Sequence, residues 1–215
     1  FNIMPNEDLN KEVNLKISIG HLLVIWDILS NKLSGKPLNT DFTEDEKRAI
    51  WALEDACEKK IVKNYVVANN DKLNIENEYG QITVNTWEKN DVSIEITITS
   101  SAANESKSTS LLESVDISET KAGGSIYLKT LYHSNNVRSG KQTLKVNYSV
   151  NVPSWLNMNL LNKFGNINLP SLSGTLQLKV SYGNIKAEKL TGNSENRIEV
   201  NFGAADIDEI ENVFL

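Results

Sequence analysis

The segment Met158-Asn-Leu-Leu-Asn-Lys-Phe-Gly-Asn-Ile-Asn-Leu169 carries the pattern on which the predicted fold depends. Apolar and polar residues alternate on both sides of its aromatic-Gly pair, as they do in β-strands. The same arrangement surrounds four such pairs, namely Tyr79-Gly80, Phe164-Gly165, Tyr182-Gly183 and Phe202-Gly203. The last three pairs follow one another at intervals of 18 and 20 residues. Intervals of that length suit the coils of a parallel β-helix.

The phase of the alternation changes at each glycine. Apolar residues stand five and seven positions before it and two, four and seven positions after it, and only Asn196 departs from this rule. A shift of one residue turns every side chain to the other face of a strand. A bend at glycine, which tolerates unusual backbone angles, would keep the apolar side chains inward. Each repeat is therefore predicted to be a strand, a Gly corner, a second strand and a loop such as Leu172-Ser173-Gly174.

The repeats predict a mainly β protein whose fold is a single-stranded parallel β-helix (β-solenoid) with repeats of about 18–20 residues. An antiparallel sandwich of short alternating strands is the alternative. Upstream of the repeats, strands are predicted within residues 73–84, 92–98, 125–131 and 143–152, because apolar and polar residues alternate there too.

Two asparagines occupy positions where the pattern expects inward side chains. The position three residues before each glycine holds Asn77, Asn162, Val180 and Val200. A buried polar site is one interpretation of the asparagines. We favour asparagines that stack on one another or bond to the backbone, because buried polar groups require hydrogen-bond partners.

Residues 1–62 follow a helical pattern and predict a small α-helical hairpin. A first helix is predicted over about residues 21–34, and a second begins at Thr43, which forms a capping-box pattern with Glu46. The apolar stripe of the second helix consists of Ile50, Leu53, Cys57 and Ile61. The predicted organisation is a helical module at 1–62 and a β-solenoid domain at 63–215, with an irregular β excursion at about 99–155.

Composition excludes several classes of partner. The 215-residue chain has a formal net charge of −6 and a pI near 5.1. It lacks the basic excess that nucleic acid or anionic lipid would require, so neither is predicted as a partner. Its longest apolar run is shorter than the roughly 18 residues that span a bilayer, so no direct membrane insertion is predicted. The single cysteine, Cys57, excludes an intramolecular disulfide.

The sequence predicts no catalytic, cofactor-binding or metal-binding residues and no cofactor. His21 and His133 stand apart from each other and from Cys57, so no zinc site is expected. Asp206 and Asp208 would lie about 6.6–7 Å apart on one strand face. They are considered as a catalytic pair because a glycosidase needs two carboxyl groups at a defined separation. Acidic residues at outward strand positions are usually solvated, so the protein is predicted not to be an enzyme. A carbohydrate-active β-helix enzyme stays as a third hypothesis.

Three stretches carry a family resemblance. They are Leu73-Asn-Ile-Glu-Asn-Glu-Tyr-Gly-Gln-Ile-Thr-Val-Asn-Thr-Trp87, Val92-Ser-Ile-Glu-Ile96 and Lys145-Val-Asn-Tyr-Ser-Val-Asn-Val-Pro153. With the aromatic-Gly repeats after Trp155, residues 63–215 resemble the putative adhesin family of exported bacterial proteins with a β-solenoid (head-domain-like) fold. The resemblance implies a non-enzymatic protein of the periplasm or cell surface and supplies no catalytic residues. The helical segment 1–62 does not resemble that family.

These observations predict an exported adhesin-like binding or scaffold protein, which presents a β-solenoid surface to an unknown protein or glycan at the cell surface. The alternative is a structural solenoid that polymerises through open coil ends, with self-association through the C-terminal coil. The chain begins at Phe1, so an export signal is not visible in it. The four aromatic-Gly pairs are expected to be structural corners of the repeat.

Overall fold

The computed structural model describes residues 56–102, 105–133, 142–192, 196–211 and 213–214. The chain divides into two compact units, Phe1–Glu54 and Asp55–Leu215, and every described residue belongs to the second. The predicted helical hairpin lies outside the described residues except at its end. There, Cys57 and Ile61 lie in a β-strand, so the helical stripe is wrong at these two positions. The division into a module at 1–62 and a domain at 63–215 stays a prediction.

Strands dominate the described part of the chain. In chain order they are β1 (Ala56–Val66), β2 (Lys72–Glu78), β3 (Ile82–Thr86), β4 (Asp91–Ser101), β5 (Val115–Ala122), β6 (Ser125–Tyr132), β7 (Thr143–Val152), β8 (Asn157–Lys163), β9 (Ile167–Leu169), β10 (Leu176–Ser181), β11 (Ile185–Leu190), β12 (Asn196–Asn201), β13 (Ala205–Ile210) and β14 (Val213–Phe214). A short helix, α1 (Glu105–Glu113), lies between β4 and β5 and packs against β4 and β1. The strands predicted from alternation upstream of the repeats coincide with β2 and β3, β4, β6 and β7.

The strands form two seven-stranded sheets. Sheet 1 has the order β1-β4-β7-β3-β9-β11-β13, and sheet 2 has the order β14-β12-β10-β8-β2-β6-β5. In sheet 1, β4 pairs antiparallel with both β1 and β7, whereas the remaining pairs are parallel. In sheet 2, β5 and β6 form an antiparallel pair, and the other pairs are parallel. Both sheets are therefore mixed.

The mixed sheets overturn the predicted fold class. The predicted single-stranded parallel β-helix is wrong, because three of the pairings are antiparallel. Two turns cause the reversals. The four-residue connection 87–90 returns the chain from β3 into β4. Gly123 and Gly124, with φ of 55° and 76°, join β5 and β6 in a two-residue hairpin, for which two left-handed residues are typical. A Gly-Gly pair between two alternating segments is the sequence signal of such a hairpin.

Each aromatic-Gly repeat contributes one strand to each sheet. The strand before the pair lies in sheet 2 and the strand after it lies in sheet 1, so the chain crosses from one sheet to the other at the glycine. Equivalent residues of successive repeats lie side by side, as Met158 and Leu176 do in sheet 2 and Ile167 and Ile185 do in sheet 1. These four side chains are fully buried. Inward side chains of both sheets form one core, where each buried Leu or Ile contributes about 1.5–3 kcal/mol.

Candidate functional site

The aromatic-Gly pairs form two parallel rows at the crossings between the sheets. The positive φ angle belongs to the aromatic residue, with values of 61°, 60°, 57° and 60° at Tyr79, Phe164, Tyr182 and Phe202. Glycine is required there for space, because a Cβ on Gly165 would overlap the carbonyl oxygen of Gly80. The same overlap recurs at the equivalent glycines of the later repeats. The prediction that glycine has the unusual backbone angle is therefore wrong, because the aromatic residue of the pair has it.

The aromatic rings stack in a continuous row. Ring centroids are 5.1 Å apart between Tyr79 and Phe164, 5.1 Å between Phe164 and Tyr182, and 4.8 Å between Tyr182 and Phe202. Tyr132 meets the ring of Tyr79 edge-on at 5.6 Å. Because most ring faces lie against one another, a ligand could reach mainly ring edges and the outer face of Phe202, which is 77% exposed. The row fits a structural role better than that of a stacking platform.

The two inward asparagines are fully engaged in the core. Asn77 donates through Nδ2 to the carbonyl of Val146 at 2.9 Å and to Oδ1 of Asn162 at 3.3 Å. Asn162 donates through Nδ2 to the carbonyls of Gly80 at 2.8 Å and Asn166 at 3.1 Å. The interpretation of stacked, backbone-bonded asparagines is confirmed, and these groups are closed to a ligand.

The acidic pair considered for glycosidic cleavage lies on the edge strand β13. Asp206 and Asp208 are both exposed, and the register places Asp206 beside Lys186 of β11. His133 pairs with Asp116, Nε2 to Oδ2, at 2.7 Å, and His21 lies outside the described residues. Among the residues that the structure describes, no group of three or more His, Cys, Asp or Glu side chains could hold a metal ion. No helix in the same part of the chain is long and apolar enough to cross a bilayer.

A groove crosses the outer face of sheet 2. Its first row of outward side chains, the amide row, consists of Tyr127, Asn74, Asn159, Gln177 and Arg197, which are neighbours in register on β6, β2, β8, β10 and β12. Its second row, the charged row, consists of Lys129, Glu76, Leu161, Lys179 and Glu199 on the same strands. The two rows run across the strands, parallel to each other.

Two cavities make these rows one continuous groove. A cavity of about 390 Å³ lies over β6, β2 and β8, and a second of about 270 Å³ lies over β8, β10 and β12. Asn159 and Leu161 line both cavities. Since neighbouring strands lie about 4.8 Å apart, the five strands give the groove a length of roughly 19 Å.

The charges in the groove are paired. Lys129 contacts Glu76 at 2.8 Å, and Lys179 contacts Glu199 at 2.6 Å. Arg197 lies 3.6 Å from the same Glu199 carboxylate. The Lys179 ammonium, and then the hydrogen bond to the Glu199 carboxylate from its strand neighbour Asn201, lower the pKa of Glu199. The groove is thus polar, and its two carboxylates contact all three of its cations.

Several polar groups in the amide row face the groove with spare hydrogen-bonding capacity. The Asn74 amide donates one hydrogen bond to the carbonyl of Ile126, at 3.1 Å, and the Gln177 amide oxygen accepts one from Lys72, at 3.5 Å. Within the described residues, the Asn159 amide makes no hydrogen bond, and Tyr127 is half exposed. Amides and phenolic hydroxyls both donate and accept, so this row can bind groups that also do both.

The groove was not predicted from the sequence, although the repeat contains a signal for it. Aligned on glycine, the residues six positions before it are Asn74, Asn159, Gln177 and Arg197. All four are polar, and all can donate hydrogen bonds. Inward positions are recognisable in the alignment because they are apolar, whereas these outward positions share only their polarity, which any solvent-facing strand position can have.

A smaller cavity of about 210 Å³ lies between residues 86–90, at the end of β3 and in the connection after it, and residues 153–155. Trp87 and Trp155 line it, but the ammonium of Lys89 already lies 4.5 Å from the centroid of Trp87. The Trp87 indole N–H donates to the carbonyl of Asp91 at 2.9 Å. In this cavity, the Lys89 side chain thus already covers the ring of Trp87.

No family model and no curated protein matches the chain. Among solved structures, it is similar to a putative cell adhesion protein from Clostridium sporogenes, with a TM-score of 0.37, 11% identity and coverage of 72% of this chain and 100% of that one. A putative lipid binding protein and a putative adhesin from Parabacteroides distasonis each give a TM-score of 0.33 and 14% identity over 72% of this chain, covering 61% and 76% of their own chains. At these scores and identities, the likenesses carry no argument about this protein.

Proposed function

We propose that this protein is a non-enzymatic, adhesin-like binding protein, and that the groove on sheet 2 is its recognition surface. The observation that carries the proposal is the register of the two rows across five neighbouring strands, which merges the cavities at Asn159 and Leu161. Recognition there depends on side chains, because the backbone groups of the inner strands are used in the ladders of the sheet. A location in the periplasm or at the cell surface belongs to the same proposal.

Binding to intact cells tests this proposal. Fluorescently labelled full-length protein is incubated with bacterial and epithelial cells, and retention is measured by flow cytometry. The double variant Asn159→Ala and Gln177→Ala is expected to lose at least about tenfold in affinity, since each lost hydrogen bond contributes about 1 kcal/mol. The matched control is Asn168→Ala, because Asn168 is an asparagine of β9 in sheet 1 with a similar partly exposed side chain. No retention of the parent, or equal retention of all variants, would contradict the proposal.

Self-association is a second candidate function, favoured by the exposed apolar surface near the last strands. Phe202 is 77% exposed at the end of the ring row, and Ile210 of the edge strand β13 is 39% exposed. A second copy could continue the ring row and pair with that edge. Sedimentation velocity should then show concentration-dependent oligomers that Phe202→Asn and Ile210→Lys abolish. Val62→Ser is the control, since Val62 is an exposed apolar residue of β1. A monomer at all concentrations would rule this function out.

A further inference from the structure

We infer that the groove on sheet 2 binds a neutral, extended polysaccharide chain that lies across the strands, along the amide row. The inference rests on the proposed function, because it names the ligand of the same surface. Three properties of the groove carry it: its charge, its hydrogen-bonding groups and its length.

The charge of the groove favours a neutral ligand. Lys129 and Lys179 are each matched by a carboxylate within 2.8 Å, and Arg197 adds a cation that lies near Glu199. An anionic polymer would have to displace these carboxylates, and it would also meet a chain with a net charge of −6. A cationic polymer would have to displace the lysines. A ligand without charge leaves both ion pairs in place.

The hydrogen-bonding groups favour hydroxyls. Asn74, Asn159 and Gln177 present amides that donate and accept, which is what a sugar hydroxyl also does. Tyr127 and Leu161 add apolar surface on which the C–H face of a sugar ring can pack. A peptide strand would gain little here, because strand addition requires a free sheet edge and the groove lies on a sheet face.

The spacing favours a polymer over a single sugar. The amide row offers one side chain per strand, at a strand spacing of about 4.8 Å. This spacing is close to the rise of one residue in an extended β-linked glycan. A chain of about four sugars would therefore place successive residues over successive strands along the roughly 19 Å of the groove.

Calorimetric titration of the full chain with defined oligosaccharides tests the inference. Cellotetraose, a neutral β-linked probe, is expected to bind at least about tenfold more tightly than cellobiose, because it reaches more of the amide row. Its affinity should not change between low and high salt, since no net charge is neutralised. Asn159→Ala should weaken binding by about fivefold to tenfold, whereas Asn168→Ala should leave it unchanged.

The outcomes distinguish failure of the inferred ligand from failure of the proposed recognition surface. Binding of tetragalacturonate with strong salt dependence, in place of cellotetraose, would overturn the inference of a neutral ligand. Cell binding that Asn159→Ala weakens, without binding of either oligosaccharide, would also overturn it, while the proposed function would stand. If neither cells nor oligosaccharides bind, both fail. Equal binding of cellobiose and cellotetraose would overturn the extended chain across the strands.

Discussion

Each aromatic-Gly pair meets two structural requirements: the aromatic residue adopts a left-handed backbone, and the glycine lets the preceding repeat approach closely. The aromatic residue adopts a left-handed backbone, which costs about 1–2 kcal/mol for a residue with a Cβ. Stacking of its ring on the neighbouring repeat offsets part of that cost, at about 0.5–1.5 kcal/mol for each pair. The glycine has an ordinary φ but leaves room for the carbonyl of the preceding repeat. Exchanging the two residues would suit the left-handed backbone, which glycine adopts readily, but it would place a side chain against the carbonyl of the preceding repeat.

We predict that Gly165→Ala destabilises the protein far more than Gly123→Ala. The new Cβ of Gly165→Ala would overlap the backbone of Gly80, so two repeats must separate. The expected loss in free energy of unfolding is about 3 kcal/mol or more, at the upper end of the range for overpacking. Gly123 has a φ of 55° but no atom within 4 Å of such a Cβ, so its substitution should cost about 1–2 kcal/mol. Urea unfolding measures both losses, and similar values would refute the spatial role of Gly165.

At the scale of the element, an inward and an outward asparagine of the same strand have different roles. β8 carries Asn162 inward and Asn159 outward. Asn162 supplies donors to two carbonyls in the crossing between the sheets, and Asn159 faces the groove. Later repeats replace the inward asparagine by valine, at Val180 and Val200, so these strands pack without such a network.

We predict that Asn162→Val costs about 1–3 kcal/mol of unfolding free energy, even though valine is the residue of the later repeats. The carbonyl of Gly80 would lose its side-chain donor, and leaving such a group unpaired costs about 1–3 kcal/mol. The carbonyl of Asn166 would keep the hydrogen bond that it accepts from the Ile82 N–H. Asn159→Val on the same strand should stay within about 0.5 kcal/mol of the parent. Chemical denaturation of both variants checks this. A neutral Asn162→Val would mean that water or a local shift replaces the amide.

The elements were predictable to different degrees. Alternation revealed most strands, because inward and outward positions differ in polarity whichever way a strand pairs. It could not reveal the direction of pairing, since β4 has the same alternating pattern as the parallel strands. Only the connections decide direction, and Gly123-Gly124 is the sequence signal of the one tight hairpin among the described strands. The groove was hidden for a related reason. It exists only once the register brings Asn159 and Gln177 together from separate repeats.

At the scale of the whole molecule, polar side chains join the edge strands of the two sheets. At one end, Tyr65 of β1 donates its hydroxyl to Glu119 of β5 at 2.8 Å, and Lys63 contacts the same carboxylate at 2.6 Å. The Lys63 ammonium, followed by the Tyr65 hydroxyl, lowers the pKa of Glu119. These contacts join an edge strand of sheet 1 to an edge strand of sheet 2.

Buried tyrosines link the stability of the whole core to alkaline pH. Burial raises the pKa of Tyr148 to about 12, and the Thr130 hydroxyl beside it opposes the shift. Burial also raises the pKa of Tyr132, with the nearby Glu78 carboxylate as the second cause. Since the folded pKa lies above the unfolded value of about 10, the neutral phenol is favoured in the folded state. This contribution is fully present below pH 10 and is lost as the pH rises toward the folded pKa.

We therefore predict that the free energy of unfolding falls steeply between about pH 10 and pH 12, by about 1.4 kcal/mol per pH unit for each such tyrosine. Tyr148→Phe should reduce the slope by about one tyrosine's share, because phenylalanine has no proton to lose. Val150→Ala is the control, since Val150 is fully buried on the same strand and cannot ionise. It should lower stability by the same amount at every pH and leave the slope unchanged. Urea unfolding at stepped pH values measures both slopes, and an unchanged slope for Tyr148→Phe would show that the alkaline loss arises elsewhere.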